Sequence, residues 1–152
     1  MKIAFTGHRP DKLGGYNDAT NKRSAILSKI DEIVSPLHDV EFIVGMALGV
    51  DQWAAEYAID HGIPFHAYIP CPGQELVWPE KSQERYRFIL SHAETENILS
   101  QTYTPGAMYY RNECMVNDGD LLIAVYDGSA GGTRNCINYA KQVGRKIIFI
   151  EP

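Results

Sequence analysis

Short apolar runs alternate with helically spaced segments along almost the whole chain, and glycine-rich turns separate several of them. The helical spacing is clear in Val50, Trp53 and Tyr57, whereas residues 121–126 are continuously apolar. Strands that alternate with helices form parallel sheets with helices on both faces, so we predict an α/β fold with a mostly parallel sheet. Strands are expected at residues 2–5, 41–44, 64–69, 97–99, 120–126 and 146–150, and helices at about 20–36, 50–60, 81–93, 108–116 and 133–143.

The composition fits one globular domain. The chain has 152 residues, 45% hydrophobic and 22% charged, without a repeat or linker, so we expect one domain over residues 1–152. We expect a cytoplasmic protein that does not engage membranes, because no apolar run approaches bilayer length and no signal peptide is recognisable. The three cysteines form no CxxC pair, which argues against a zinc or redox site. No cofactor and no metal are expected.

The charge argues against broad nucleic-acid binding. The formal net charge is −5, whereas nonspecific binding to nucleic acid needs an extended basic footprint. A local basic patch remains open around four residues, Arg9, Lys12, Lys22 and Arg23.

The first informative turn is GMALGVD at residues 45–51, between a predicted strand and a predicted helix. Small residues at such a turn let a ligand approach the backbone, and the start of the helix attracts anions. Asp51 either accepts a hydrogen bond from a ribose hydroxyl or simply caps the helix. The residues expected to contact a ligand here are Gly45, Ala47, Gly49 and Asp51.

The second turn is DGSAGGTRN at residues 127–135, and it again joins a predicted strand to a predicted helix. Its glycines expose backbone N–H groups, Thr133 adds a hydroxyl, and Arg134 offers a bidentate fork to phosphate. The alternative is a flexible loop in which Thr133 is an ordinary N-cap. The ligand candidates here are Asp127, Gly128, Gly131, Gly132, Thr133 and Arg134.

A third turn follows the first predicted strand, at Thr6, Gly7, His8 and Arg9. These residues fall at the carboxyl end of a strand, where ligands bind in open α/β sheets. His8 is either a proton shuttle or a surface histidine.

Arg111 and Asn112 are a polar pair within a predicted helix whose inner face carries Met115. Buried polar groups need partners, so the pair is a ligand-binding candidate. The alternative is an exposed Arg111 and a capping Asn112. Trp78, with Pro70, Pro72 and Pro79 nearby in sequence, either walls a pocket and stacks on a base or packs its loop.

Three motifs together resemble the SLOG superfamily of Rossmann-like proteins, and its YpsA branch in particular. They are TGHRP at residues 6–10, GMALGVD at 45–51 and GGT at 131–133. The resemblance spans nearly the whole chain. It implies a nucleotide-type ligand in the cleft at the strand ends. Related families include DNA-processing protein A, which binds single-stranded DNA, the Lonely Guy phosphoribohydrolases, and sensors of nucleotide-derived signals.

The Lonely Guy resemblance extends to individual residues. Arg111, Met115 and Asp120 fall at the spacing of that family's arginine, methionine and strand-opening aspartate. Gly132 and Thr133 match the glycine and threonine of its PGGxGTxxE loop.

Three departures from that family weaken a hydrolase reading. Its lysine is Asn112 here, its loop entry is replaced by residues 126–128 in a longer loop, and its catalytic glutamate is Cys136. Cleavage of an N-glycosidic bond needs a carboxylate, which cysteine does not supply. Asp127 is the one substitute that the loop offers.

We therefore predict a nucleotide-binding protein that senses or sequesters its ligand, with phosphate at residues 131–134 and residues 45–49 as the opposite wall. The enzyme alternative is a nucleoside monophosphate phosphoribohydrolase, with Arg111 and Asp127 as catalytic candidates. Single-stranded nucleic-acid binding is the third reading, and a homo-oligomer is expected by analogy.

Overall fold

The computed structural model describes residues 1–9 and 21–152. Three sequence-based expectations fall outside the described residues. They are the loop that follows the first turn, the exact start of the first helix, and the part of the basic patch that involves Lys12.

Strands and helices alternate from end to end of the described chain. The strands are β1 (Lys2–Gly7), β2 (Glu41–Val44), β3 (Phe65–Ile69), β4 (Thr95–Ile98), β5 (Leu121–Val125) and β6 (Lys146–Ile150). The helices are α1 (Asn21–Val34), α2 (Val50–Asp60), α3 (Glu80–Ser91), α4 (Ala107–Asp118) and α5 (Gly132–Gln142), and a short 3₁₀ turn at Gln74–Val77 precedes α3.

The strands form one parallel sheet in the order β4-β3-β2-β1-β5-β6. The chain runs outward from β1 to β4 and then returns to place β5 on the other side of β1. The strand order therefore reverses between β1 and β5, and this crevice is where ligands bind in open α/β sheets. The predicted α/β fold with a parallel sheet is confirmed.

Helices cover both faces of the sheet, because successive strand residues point to opposite sides. In β1, Phe5 joins a core cluster with Ile30 of α1 and Trp53 of α2. The neighbouring Ala4 joins a second cluster with Met115 of α4 and Ala140 of α5. The prediction of helices on both faces is correct.

Two strand boundaries differ from the sequence prediction by two residues, whereas the other strand ends agree within one residue. β1 extends to Gly7, because its pairing with β5 continues to the Gly7–Val125 position. β4 begins at Thr95, two residues earlier than expected, because Thr95 and Glu96 pair with β3 although their side chains are exposed and polar. Backbone pairing at the edge of the sheet, rather than side-chain hydrophobicity, sets that boundary.

Gly7 brings α2 against the end of β1. A Cβ atom at Gly7 would lie 2.6 Å from the Cβ of Val50, the first residue of α2. Any larger residue at position 7 would push the helix away, so this glycine positions α2 beside the crevice.

Within the described residues, none of the helices combines the length and the apolar character that crossing a bilayer requires.

Candidate functional site

A cavity of about 310 Å³ lies at the carboxyl ends of β1 and β5. Groups from β1, the β2–α2 turn, α4 and the β5–α5 turn surround it, so four separate segments of the chain contribute to the wall. The residues predicted from sequence that line it are Thr6, Gly7, His8, Arg9, Ala47, Asp51, Arg111, Asn112, Gly131, Gly132 and Thr133.

The remaining predicted residues do not line this cavity. Asp127 and Gly128 belong to the β5–α5 turn but not to the lining, and Arg134 is exposed to solvent. Gly45 and Gly49 belong to the β2–α2 turn. Gly45 lies against the side chains of Arg111 and Asp51, and Gly49 is the N-cap residue of α2. Of the predicted phosphate site, Gly131, Gly132 and Thr133 therefore line the cavity, whereas the guanidinium group of Arg134 does not.

The N-terminus of α5 opens directly onto the cavity. Gly131 is the N-cap residue with φ 142°, a conformation that favours glycine. None of the described residues caps this helix end with a side chain, and the first-turn N–H groups have no partner within a helix. Gly131 rather than Thr133 is the N-cap, so the simple reading of Thr133 as a capping residue is wrong. The helix end therefore presents free donors and a positive dipole to an anion.

Arg111 is a buried cation in the cavity wall. It lies on α4 and is only 4% exposed, although its side chain is charged. Its Nη1 donates to the carbonyl of Gly45 at 2.6 Å, and its Nε donates to Oδ1 of Asn112 at 2.8 Å. Burial lowers the pKa of Arg111, and the Asp51 charge opposes that effect. The alternative of an exposed Arg111 is wrong.

Asp51 is the counter-charge of Arg111. It is 7% exposed, and Oδ2 accepts a hydrogen bond from the Ala47 N–H at 3.3 Å. Burial raises the pKa of Asp51 to about 6, against the opposing effects of Arg111, the Ala47 N–H and Arg9. The N-cap of α2 is Gly49, so Asp51 does not act as the ordinary cap. It holds the turn and presents a carboxyl group that titrates near neutral pH.

Gly45 makes room for the side chains of both Arg111 and Asp51. A Cβ atom there would lie 2.6 Å from Nη1 of Arg111 and 2.9 Å from Oδ2 of Asp51. The rest of the turn is also fixed from α2, because Gln52 Nε2 donates to the carbonyl of Met46 at 3.2 Å. Met46 adopts φ 62°, a strained conformation for a residue other than glycine, while its side chain is buried in the core.

His8 joins the ends of β1 and β5. It is 5% exposed, so the reading as a surface histidine is wrong. Its Nε2 lies 2.9 Å from the backbone N and from Oδ1 of Asp127. The two contacts need different protonation states, since neutral Nε2 accepts from the amide whereas protonated Nε2 donates to the carboxylate. Asp127 also accepts from the N–H and Oγ of Ser129, which shapes the β5–α5 turn.

Cys136 lies beneath the cavity rather than in it. It is 1% exposed and shares a hydrogen bond with the side chain of Thr6. Burial raises the pKa of its thiol to about 11, so it stays protonated at neutral pH. The residue that replaces the Lonely Guy glutamate is therefore a buried packing group.

The sequence analysis missed four residues in the wall of the cavity: Phe5, Met108, Tyr109 and Ala130. A signal existed for Met108, because it precedes Arg111 by one helical turn and therefore shares its face. Its sulfur lies 3.7 Å from Nη2 of Arg111.

A second cavity of about 550 Å³ adjoins the first and shares Arg9, Ala47 and Met108 with it. Trp78, Pro70 and Pro72 line it, whereas Pro79 does not. The pocket-wall reading of Trp78 therefore agrees with its position.

Comparison with known proteins identifies the family. The model of the YspA SLOG family (YpsA) matches residues 3–148. The chain belongs to this family. A similar protein is the uncharacterized SPbeta prophage-derived protein YoqJ of Bacillus subtilis strain 168. It is 31% identical, and the match covers 86% of this chain and 87% of YoqJ. The resemblance drawn from the three sequence motifs is confirmed.

Solved structures share this fold at low sequence identity. DNA processing protein A (DprA) from Streptococcus pneumoniae superposes with a TM-score of 0.71 and 16% identity, over 99% of this chain and 50% of that one. DprA from Helicobacter pylori, described with a single-stranded DNA binding mode, gives the same score and identity over 100% of this chain and 66% of that one. This chain thus spans half to two thirds of those proteins, and the likeness concerns the fold.

Proposed function

We propose that this protein binds a nucleotide or nucleotide-derived small molecule in the cavity between β1 and β5, and senses or sequesters it. One observation carries the proposal: the N-terminus of α5, without a side-chain cap among the described residues, opens onto a cavity that also holds the buried Arg111 and Asp51. Free N–H donors at a helix start suit a phosphate group.

The remaining groups suit the sugar of such a ligand. Asp51 is largely ionised at neutral pH, since its pKa is about 6, and a carboxylate accepts hydrogen bonds from ribose hydroxyls. Arg111 directs Nη1 and Nε to protein acceptors, so the guanidinium holds the carbonyl of Gly45 and the side chain of Asn112 in place, and its charge favours the ionised form of Asp51.

Two substitutions at Gly132 test the phosphate position. Gly132 lines the cavity in the first turn of α5, and a Cβ atom there would meet nothing within 4 Å. Gly132→Asp suits the helix dipole and should leave the fold intact, but its carboxylate would repel a phosphate. We expect calorimetry to show at least about tenfold weaker binding of AMP and ribose 5-phosphate to Gly132→Asp.

Gly132→Ala is the matched control, because it adds the same Cβ without the charge, and it should keep the affinity of the unmodified protein. Equal binding by Gly132→Asp and Gly132→Ala would place the phosphate elsewhere. Absence of binding by AMP, other nucleoside monophosphates and ADP-ribose would remove the proposal altogether.

A second candidate is hydrolysis of the N-glycosidic bond, and the Asp51 carboxyl group favours it. A group with a pKa near 6 inside a cleft suits proton transfer at neutral pH. Chromatography of AMP incubated with the protein would detect adenine and ribose 5-phosphate. Loss of that release in Asp51→Asn but not in Asp127→Asn would assign the chemistry to Asp51, and the reverse result would assign it to Asp127.

Single-stranded nucleic acid is a third candidate on the strength of the DprA fold likeness. The sequence-based argument against nucleic acid, which rests on the net charge of −5, gains no support from these neighbours. Fluorescence anisotropy with a labelled single-stranded oligonucleotide at two salt concentrations tests it. Binding that weakens steeply with salt would favour this candidate. The homo-oligomer expected by analogy stays a prediction, which light scattering would test.

A further inference from the structure

The second cavity is chemically unlike the first. Its wall is mostly apolar and includes Leu48, Pro70, Cys71, Pro72, Trp78 and Tyr103. Arg9 supplies the only charge among the described lining residues, and it stands at the junction with the first cavity. A ligand that lies in both cavities therefore places a charged part beside α5 and a weakly polar part beside Trp78.

Trp78 is held in place before any ligand arrives. Gln83 of α3 donates from Nε2 to the Trp78 carbonyl at 3.0 Å. The indole meets the ring of Tyr86 at 78° with 5.5 Å between centroids, and Tyr86 is itself 5% exposed. An aromatic ring fixed in this way binds flat heterocycles without the entropic cost of ordering its side chain.

Gln74 adds one unsatisfied polar group to this wall. Its Nε2 contacts the hydroxyl of Tyr86 at 3.5 Å. Its Oε1 is buried and has no hydrogen-bond partner in the described part of the chain. A buried acceptor without a partner is costly, and because Gln74 lines the cavity, a rotation of its side chain would let an N–H group on a bound ligand satisfy this oxygen. A purely apolar occupant would leave it unpaired.

We propose that the second cavity binds the aromatic base of the same nucleotide, and that it favours a base with an exocyclic amino group. The proposal rests on the proposed function, because it takes the phosphate position at α5 as given. Trp78 stacks on the base, and Gln74 accepts a hydrogen bond from the amino group.

Calorimetry with AMP, IMP and ribose 5-phosphate tests the base site. IMP has the shape of AMP but carries a carbonyl in place of the amino group, and ribose 5-phosphate lacks the base. We expect Trp78→Ala to weaken AMP binding by about 5- to 100-fold and to leave ribose 5-phosphate binding unchanged. Trp78→Phe, which keeps an aromatic ring, should retain most of the affinity for AMP.

The amino-group preference has its own readout. We expect AMP to bind at least about tenfold more tightly than IMP, because the IMP carbonyl would face the Gln74 acceptor. Gln74→Leu should remove most of that difference. Equal affinities for AMP and IMP in the unmodified protein would overturn the amino-group preference.

The outcomes distinguish a failure of the base site from a failure of the proposed phosphate position at α5. If AMP binding depends on Gly132 as proposed but is unchanged in Trp78→Ala, the base lies elsewhere and only the base site is wrong. If AMP, the other nucleoside monophosphates and ADP-ribose all fail to bind, or if AMP binds Gly132→Asp as well as Gly132→Ala, the proposed phosphate position fails and the base site fails with it. Unchanged ribose 5-phosphate binding by Trp78→Ala shows that this variant is folded.

Discussion

At the scale of single residues, Asp51 links stability to pH. Its folded pKa of about 6 lies above the ordinary 3.8, so its contribution to stability is complete below about pH 4 and is lost as the pH rises through 6. We expect the unfolding free energy of the unmodified protein, relative to Asp51→Asn, to fall by about 2.4 kcal/mol between pH 4 and pH 7. Urea unfolding of both proteins measures this difference, in which the other titrating groups cancel. A difference that stays constant with pH would mean that Asp51 is not buried as described.

At the scale of elements, the β2–α2 turn depends on contacts from two helices. A methyl group at Gly45 would displace Arg111 of α4 and Asp51 of α2, each closer than 3.0 Å to the added atom. We expect Gly45→Ala to lose about 1–3 kcal/mol of unfolding free energy, measured by urea denaturation, because overpacking forces neighbours out of position. Gly132→Ala is the control, since its Cβ meets open space, and it should be as stable as the unmodified protein or slightly more so. A stable Gly45→Ala variant would contradict the tight approach of Arg111 to the turn.

At the scale of the whole molecule, the candidate site joins elements from both faces of the sheet. The cavity takes residues from α2 on one face and from α4 and α5 on the other. A bound ligand should therefore stabilise the fold as a unit. At 100 times its dissociation constant, we expect about 2.7 kcal/mol of added stability and a rise in Tm of roughly 5–10 °C. The shift should be the same by circular dichroism and by tryptophan fluorescence, which reports on both Trp53 and Trp78. Different shifts by the two probes would show that the ligand stabilises only part of the molecule.

The sequence by itself determined the parallel α/β fold, the strand–turn–helix units and the family, because periodicity and glycine-rich motifs are local properties of the chain. It also selected most residues of the candidate site, since strand ends in such a sheet meet at one edge. Only the tertiary structure decided that Arg111 is buried against Gly45, that the pKa of Asp51 is raised to about 6, and that Arg134 is exposed and does not line the cavity. Burial and charge pairing arise between segments far apart in the chain, so they are absent from any local pattern. For the same reason, the cavity beside Trp78 could not be predicted from the sequence, because it forms only where the fold brings the β3–α3 connection together with Arg9 and the β2–α2 turn.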